Sequence, residues 1–195
     1  MGNFGRVAPG VDDLLASFAD WAAAERVARA AAERSRARSL GEQAARSATW
    51  TGILVDLAER AAQVQVTAGG SKISGRLLCV GRDFLVVEQP SSRPCLVSVE
   101  AVDTLAPQPA LPLAPETAGR PAPPGGSRHP AVDLSLLSAL DSLAAERAPV
   151  ALRSGTTTLT GDLLATGVDV LTIAAGPHGR LVHVPVAALA WCELR

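Results

Sequence analysis

Apolar residues follow two rhythms along this chain, and the switch between them divides it. In the Ala-, Glu- and Arg-rich stretch 11–48, Leu14, Leu15, Phe18, Trp21, Ala24, Val27 and Ala31 recur mostly three and four apart, which predicts a helix. Asp12 or Asp13 offers a carboxylate to its first turn, and Gly41 is expected to weaken or break it. A second helix is expected from Thr51 to Ala62, with Ile53, Leu54, Leu57, Ala58 and Ala61 on one side. At Val64 the rhythm becomes alternation. Strands are expected over 64–66, 73–80, 84–88 and 96–99, with a last short one ending near Leu105 after a helical turn at Glu100-Ala101-Val102. Gly69-Gly70 and Gly81-Arg82-Asp83 supply turns, and Gly75 inside a strand marks a sharp bend.

Residues 106–130 hold eight of the fourteen prolines and predict an extended, flexible linker. Beyond it the pattern returns. Asp133 stands where a cap would precede Leu136, Leu137, Leu140 and Leu143, and 150–152, 156–165, 170–174 and 181–186 alternate as strands. A shift of 86 residues superposes Val64 on Val150, Gly69 on Gly155, Gly75 on Gly161, Leu77 and Leu78 on Leu163 and Leu164, Gly81 on Gly167, Asp83 on Asp169 and Leu85 on Leu171. Those eight identities fall in 24 columns, where ordinary usage gives roughly two, so a duplicated unit is expected. With one inserted residue, Val97, Val99 and Val102 fall on Val184, Val186 and Leu189.

The expected fold is α+β: an N-terminal helical segment over 1–50, a helix-plus-small-barrel unit over 51–105, the linker over 106–130, and a second such unit over 131–195. A helix followed by V-x-V-x-x-G-G-x-x-x-x-G-x-L-x-x-V-G-x-D-x-L-x-V and V-x-V-x-x-V is similar to the five-strand Sm-like and SH3-like small barrels, over about 50 residues of each unit. The whole also resembles small helix-plus-barrel proteins of high-GC Gram-positive bacteria, which supplies no activity. Asp83 and Asp169 fall where an Sm-like protein carries the Asp of its first conserved segment. The Asn that follows in RNA-binding members is absent, and no Arg-Gly pair stands in 96–99 or 182–186, so the resemblance does not extend to uridine binding.

Composition narrows the chemistry. Net charge is −1, and seventeen of the eighteen basic residues are Arg, Lys72 being the exception; no basic domain stands out to neutralise phosphates. Nothing in the sequence matches a zinc-protease, serine-hydrolase, dinucleotide or phosphate-loop motif, and no enzyme, cofactor or metal site is expected. His178 and His183 have a spacing that zinc sites use, but no Cys pair accompanies them; Cys79, Cys95 and Cys192 are expected as small apolar core residues. At a turn after glycine, Asp83 and Asp169 are expected to bond their own backbone. No stretch of about 18 apolar residues runs without a charge, so a cytoplasmic chain without a membrane segment is expected. The expected function is protein interaction or scaffolding, by self-association or by binding another protein, with Trp21, Leu96, Val97, Val99 and Trp191 as contacts, and the two units are expected to pair through 96–99 and 186–191 or through the helices before them. The alternative is weak, salt-dependent RNA or DNA binding through Lys72, Arg76, Arg82, Arg153 and Arg180.

Overall fold

The computed structural model of the chain describes residues 11–108 and 132–195. They fall into two compact units, one ending at Arg46 and one spanning Ser47–Arg195. The first is a single helix, α1 (Val11–Arg46), which runs through Gly41 instead of stopping there. Glycine in a helix costs only about 1 kcal/mol against alanine, and the good helix formers on both sides of it outweigh that. Phe18, Trp21, Val27 and Leu40 lie exposed along α1.

The second unit opens with α2 (Trp50–Glu59), one residue earlier than its spacing predicts, because Thr49 caps it: its Oγ1 accepts the Gly52 N–H at 3.0 Å. Five strands follow, β1 (Gln63–Ala68), β2 (Ser71–Val80), β3 (Phe84–Glu88), β4 (Pro94–Ser98) and β5 (Val102–Pro107), with a 3₁₀ turn at Val99–Ala101 before the last. The sequence after residue 131 builds α3 (Leu136–Ala145), β6 (Pro149–Ser154), β7 (Thr157–Thr166), β8 (Val170–Ala175), β9 (Arg180–Pro185), a 3₁₀ turn at Val186–Ala188 and β10 (Leu189–Leu194). The cap of α3 is Ser135, whose Oγ accepts the Ser138 N–H at 3.2 Å; Asp133, expected in that role, instead pairs with the Arg82 Nε at 2.9 Å. Of the Pro-rich stretch 106–130, Ala106 and Pro107 belong to β5, and residues 109–131 lie outside the described ones, as does His129.

All ten strands lie in one antiparallel sheet, in the order β5-β1-β2-β3-β4-β10-β6-β7-β8-β9. The expectation of two helix-plus-barrel repeats is thereby overturned. Closing each set of five strands on itself would require β4 to meet β5 and β9 to meet β10. Instead β4 pairs with β10, which joins the two sets side by side and leaves β5 and β9 at the ends of an open sheet.

Within the sheet, backbone detail recurs at the same offset as the sequence. The register break after Leu77 between β2 and β3 matches that after Leu163 between β7 and β8. Val99 N donates to Asp83 O as Val186 N does to Asp169 O, and Ala61 and Arg147 both take positive φ after their helices. At Gly75 and Gly161 a Cβ would collide with the carbonyls of Glu88 and Ala174 on the neighbouring strand, so only glycine permits these close crossings.

Two cores result. The first gathers Leu54, Val55 and Leu57 of α2 with Val64, Val66, Leu77, Leu85 and Val97. The second gathers Leu136 and Leu140 of α3 with Val150, Leu152, Leu163, Leu171 and Ile173, and takes in Phe84 and Leu96 from the first set of strands. Among the described residues, no helix is long and apolar enough to cross a membrane.

Candidate functional site

The features that distinguish this molecule from a plain sheet converge where β4 meets β10. The pairs are Trp191 with Val97, Cys192 with Leu96 and Glu193 with Cys95. Antiparallel ladders alternate in which strand each amide faces. Arg195 N donates to Pro149 O on β6, so the Cys192 amide, three residues back, faces β4; Val99 N donates to Asp83 O, so the Leu96 amide faces β10. Leu96 and Cys192 therefore form the pair that exchanges hydrogen bonds across the junction. Side chains fill both faces: Cys95 and Val97 enter the first core, Leu96 and Cys192 the second.

Helix α3 locks the same junction from one face. The Asp83 carboxylate accepts the Leu136 N–H at 2.6 Å, placing a negative charge at the helix N-terminus, where unpaired N–H groups and the helix dipole favour it. Arg82 N donates to Leu134 O at 2.9 Å and Val132 N to Val80 O at 3.1 Å, so the strap leading into α3 is fastened to the β2–β3 turn. Asp83 thus acts across 53 residues and does not close its own turn with its carboxylate, the role expected for it. Around the rim, Gln89 Nε2 donates to Glu193 Oε2 at 3.1 Å, Arg93 lies 3.5 Å from Glu193, and Arg153 Nε donates to Gly69 O at 3.3 Å.

Two hollows flank the junction. An apolar groove of about 260 Å³ runs beside α3, lined by Phe84, Val86, Leu96, Leu134 and Leu143 among others. A polar cleft of about 150 Å³ is lined by Ser71, Lys72, Ser74, Gln89, Trp191 and Glu193. The Trp191 Nε1–H is buried there with no hydrogen-bond partner among the described residues. Burial holds the thiols at the junction protonated. Cys95 is pushed up to about 12 by desolvation, then by Cys192 and Glu193, against a hydrogen bond from Gln89; Cys192 is also pushed up to about 12 by desolvation and Glu193.

At the ends of the sheet the corresponding groups have no such neighbours. Val186 N donates to Asp169 O, so by the same alternation the His183 amide points away from β8 into the open edge. Gln108 N donates to Gln63 O, so the Leu105 amide points outward from β5. Each edge strand has one partner strand among the described residues.

Of the partner contacts expected from sequence, Leu96 and Val97 are buried against the chain's own β10, Trp191 and Val99 pack on the first core, and Trp21 is exposed on α1. The five basic residues are engaged in different ways. Arg76 pairs with Glu88 at 2.7 Å, Arg82 with Asp133, and Arg153 bonds Gly69 and Thr158; Lys72 borders the polar cleft, and Arg180 is exposed on β9. Among the described residues no cluster of three His, Cys, Asp or Glu is placed to hold a metal. His178 is exposed in a turn, and His183 Nδ1 lies 3.1 Å from Thr172 Oγ1.

No protein family and no curated protein matches the chain. What sequence reasoning missed is the long-range role of Asp83 and the open sheet into which the expected pairing of 96–99 with 186–191 joins the two units. In β10 burial alternates only over Ala190–Glu193, and the 3₁₀ turn Val186–Ala188 separates it from β9.

Proposed function

We propose that this chain is a non-catalytic interaction protein, a scaffold that takes up strands of other polypeptides along the open edges of its sheet. One observation carries this: the β4–β10 junction is a strand-addition interface with both faces filled, and the edges corresponding to its two sides, β9 and β5, stand unpaired among the described residues. An open edge presents a row of backbone donors and acceptors that a polypeptide strand satisfies regardless of its sequence, with side-chain pockets setting specificity. The free, buried thiols Cys95 and Cys192 suit a reducing compartment, and we place the protein in the cytoplasm.

The test is site-specific photo-crosslinking in cells, with the reactive side chain placed at the exposed positions Thr104 on β5 and Leu181 on β9. Polypeptide adducts at both positions are the expected result, with those at Leu181 lost when His183→Pro blocks the β9 edge. No polypeptide adduct at either edge, or adducts with nucleic acid alone, overturns the function proposed.

A further inference from the structure

Resting on that function, we infer that the occupant of these edges is a second copy of this chain, joined head to tail, with β9 of one copy pairing β5 of the next as β4 pairs β10 within each. The argument is from correspondence. β9 stands to β8 as β4 stands to β3, and β5 stands to β1 as β10 stands to β6, with matching registers and a matching irregularity in β5 and β10. Carrying the internal register over places Val184 opposite the next copy's Thr104, His183 opposite Leu105 and Val182 opposite Ala106. His183 and Leu105 are the residues whose amides point outward, as those of Leu96 and Cys192 point at each other inside the chain. The backbone groups needed for the exchange are therefore already aimed.

The side chains around the edges agree. Leu136 at the start of α3 is 3 % exposed, in the core that takes in Phe84 and Leu96 from the first set of strands; its counterpart at the start of α2 is Trp50, 41 % exposed. Asp83 holds the first turn of α3; its counterpart Asp169 is exposed and has no side-chain partner among the described residues, and the first-turn N–H of Trp50 is the group it would meet in the next copy. Gly69 is pressed against Ala190, whereas around its counterpart Gly155 the space is open. Val168, in the turn that would take the strap before α2, is 93 % exposed. One face of each kind is left over at each end, and the two are complementary in kind.

The pairing is weaker than the internal one. His183 stands where Leu96 does, and Thr104 where Trp191 does, so less apolar surface is removed from water. The copies therefore assemble reversibly. A heterologous contact of this type continues until the rotation closes a ring or runs on as a filament.

The experiment is sedimentation velocity on the full chain from about 1 to about 200 µM, a range that resolves micromolar association, together with crosslinking of mixed isotopically light and heavy copies. Expected are concentration-dependent assemblies and mixed-isotope crosslinks joining the 182–184 segment to 104–106. His183→Pro removes an outward amide without touching the ladder to β8 and should weaken assembly by about tenfold or more. Asp169→Ala should weaken it several-fold, and His183→Leu, which restores the residue type of the internal junction, should strengthen it. Unchanged melting of each variant at about 1 µM shows that folding is intact. A chain that stays monomeric throughout, or assemblies unaffected by His183→Pro, or crosslinks confined to α1, overturns the inference. Edge adducts that prove to be a different protein overturn it as well, while leaving the function proposed above in place.

Discussion

Asp83 and Asp169 occupy corresponding positions and carry the same side chain, yet only Asp83 has a helix to hold. Asp83→Ala removes a charge-assisted hydrogen bond at the N-terminus of α3 and leaves the part-buried Leu136 N–H without an acceptor. A cap of this kind is worth about 1–2 kcal/mol, and the stranded donor brings the expected loss to about 2 kcal/mol. For a unit of this size that lowers the melting temperature by about 4–8 °C. Asp169→Ala removes an exposed carboxylate with no partner among the described residues and should change stability by less than about 0.5 kcal/mol. Asp83→Asn keeps an acceptor oxygen and loses the charge, so about half of the alanine effect is expected. Thermal melts followed by far-ultraviolet circular dichroism, at about 1 µM so that association does not contribute, measure all three. Equal losses for Asp83→Ala and Asp169→Ala would refute the reasoning, because then the two positions differ in nothing that the junction supplies.

Trp191→Ala should cost about 3–5 kcal/mol in urea unfolding, whereas Trp191→Phe should cost less than about 1 kcal/mol, since losing the unpartnered Nε1–H offsets part of the lost contact. Gly161→Ala and Gly75→Ala should each destabilise by about 3 kcal/mol in the same assay, because the added methyl meets a strand carbonyl that cannot move aside. Under native conditions an alkylating reagent should label Cys79, which is only half-buried, well before Cys95 and Cys192, as read by mass spectrometry of the digested chain. The same thiols make the fold alkali-sensitive. Their folded pKa of about 12 lies above the ordinary 9.0, so their contribution is fully present below pH 9 and is lost as pH rises from 9 towards 12, by up to about 1.4 kcal/mol per pH unit for each thiol. A urea midpoint that stays flat between pH 8.5 and about 10.5 would contradict this.

Much of the local structure was legible because it depends on neighbours in sequence. Period-two patterning located most of the strands and Gly69-Gly70 the hairpin, and the helices began within a residue or two of where spacing and caps placed them, whereas Gly75, expected as a bend, is a crowded crossing. The pairing expected between 96–99 and 186–191 is present as β4–β10, and the error was the expected closure of each set of strands on itself. Alternation tells which side of a strand is buried but not which edge lies beside which, and two sets of five strands can each close on themselves or share one sheet with the same pattern of apolar residues. The outcome turned on whether β4 found β5 or β10. β10 brings Trp191, Cys192 and Glu193 into register with β4, where β5 would bring Thr104, Leu105 and Ala106, so the strand taken is the one that lays the large Trp191 ring beside Val97.

The site was less legible, yet one signal for it was present. A strand with one buried face alternates, and a strand buried on both faces does not. In β4 the run Cys95-Leu96-Val97 is apolar at every position and buried at every position, because one core lies on each side of it. In β9 the corresponding run Val182-His183-Val184 alternates, and the exposed residue is the one that stands where Leu96 does. The contrast between L and H at this single position separates the edge already covered within the chain from the edge left open. Asp83 and Asp169 show the opposite case. Identical letters at corresponding positions take different roles because the helix that one of them holds comes from the other set of strands, and nothing within ten residues of either Asp encodes where that helix will lie. Local pattern can thus reveal whether an edge is covered, while what covers it is decided by pairing across the whole sheet.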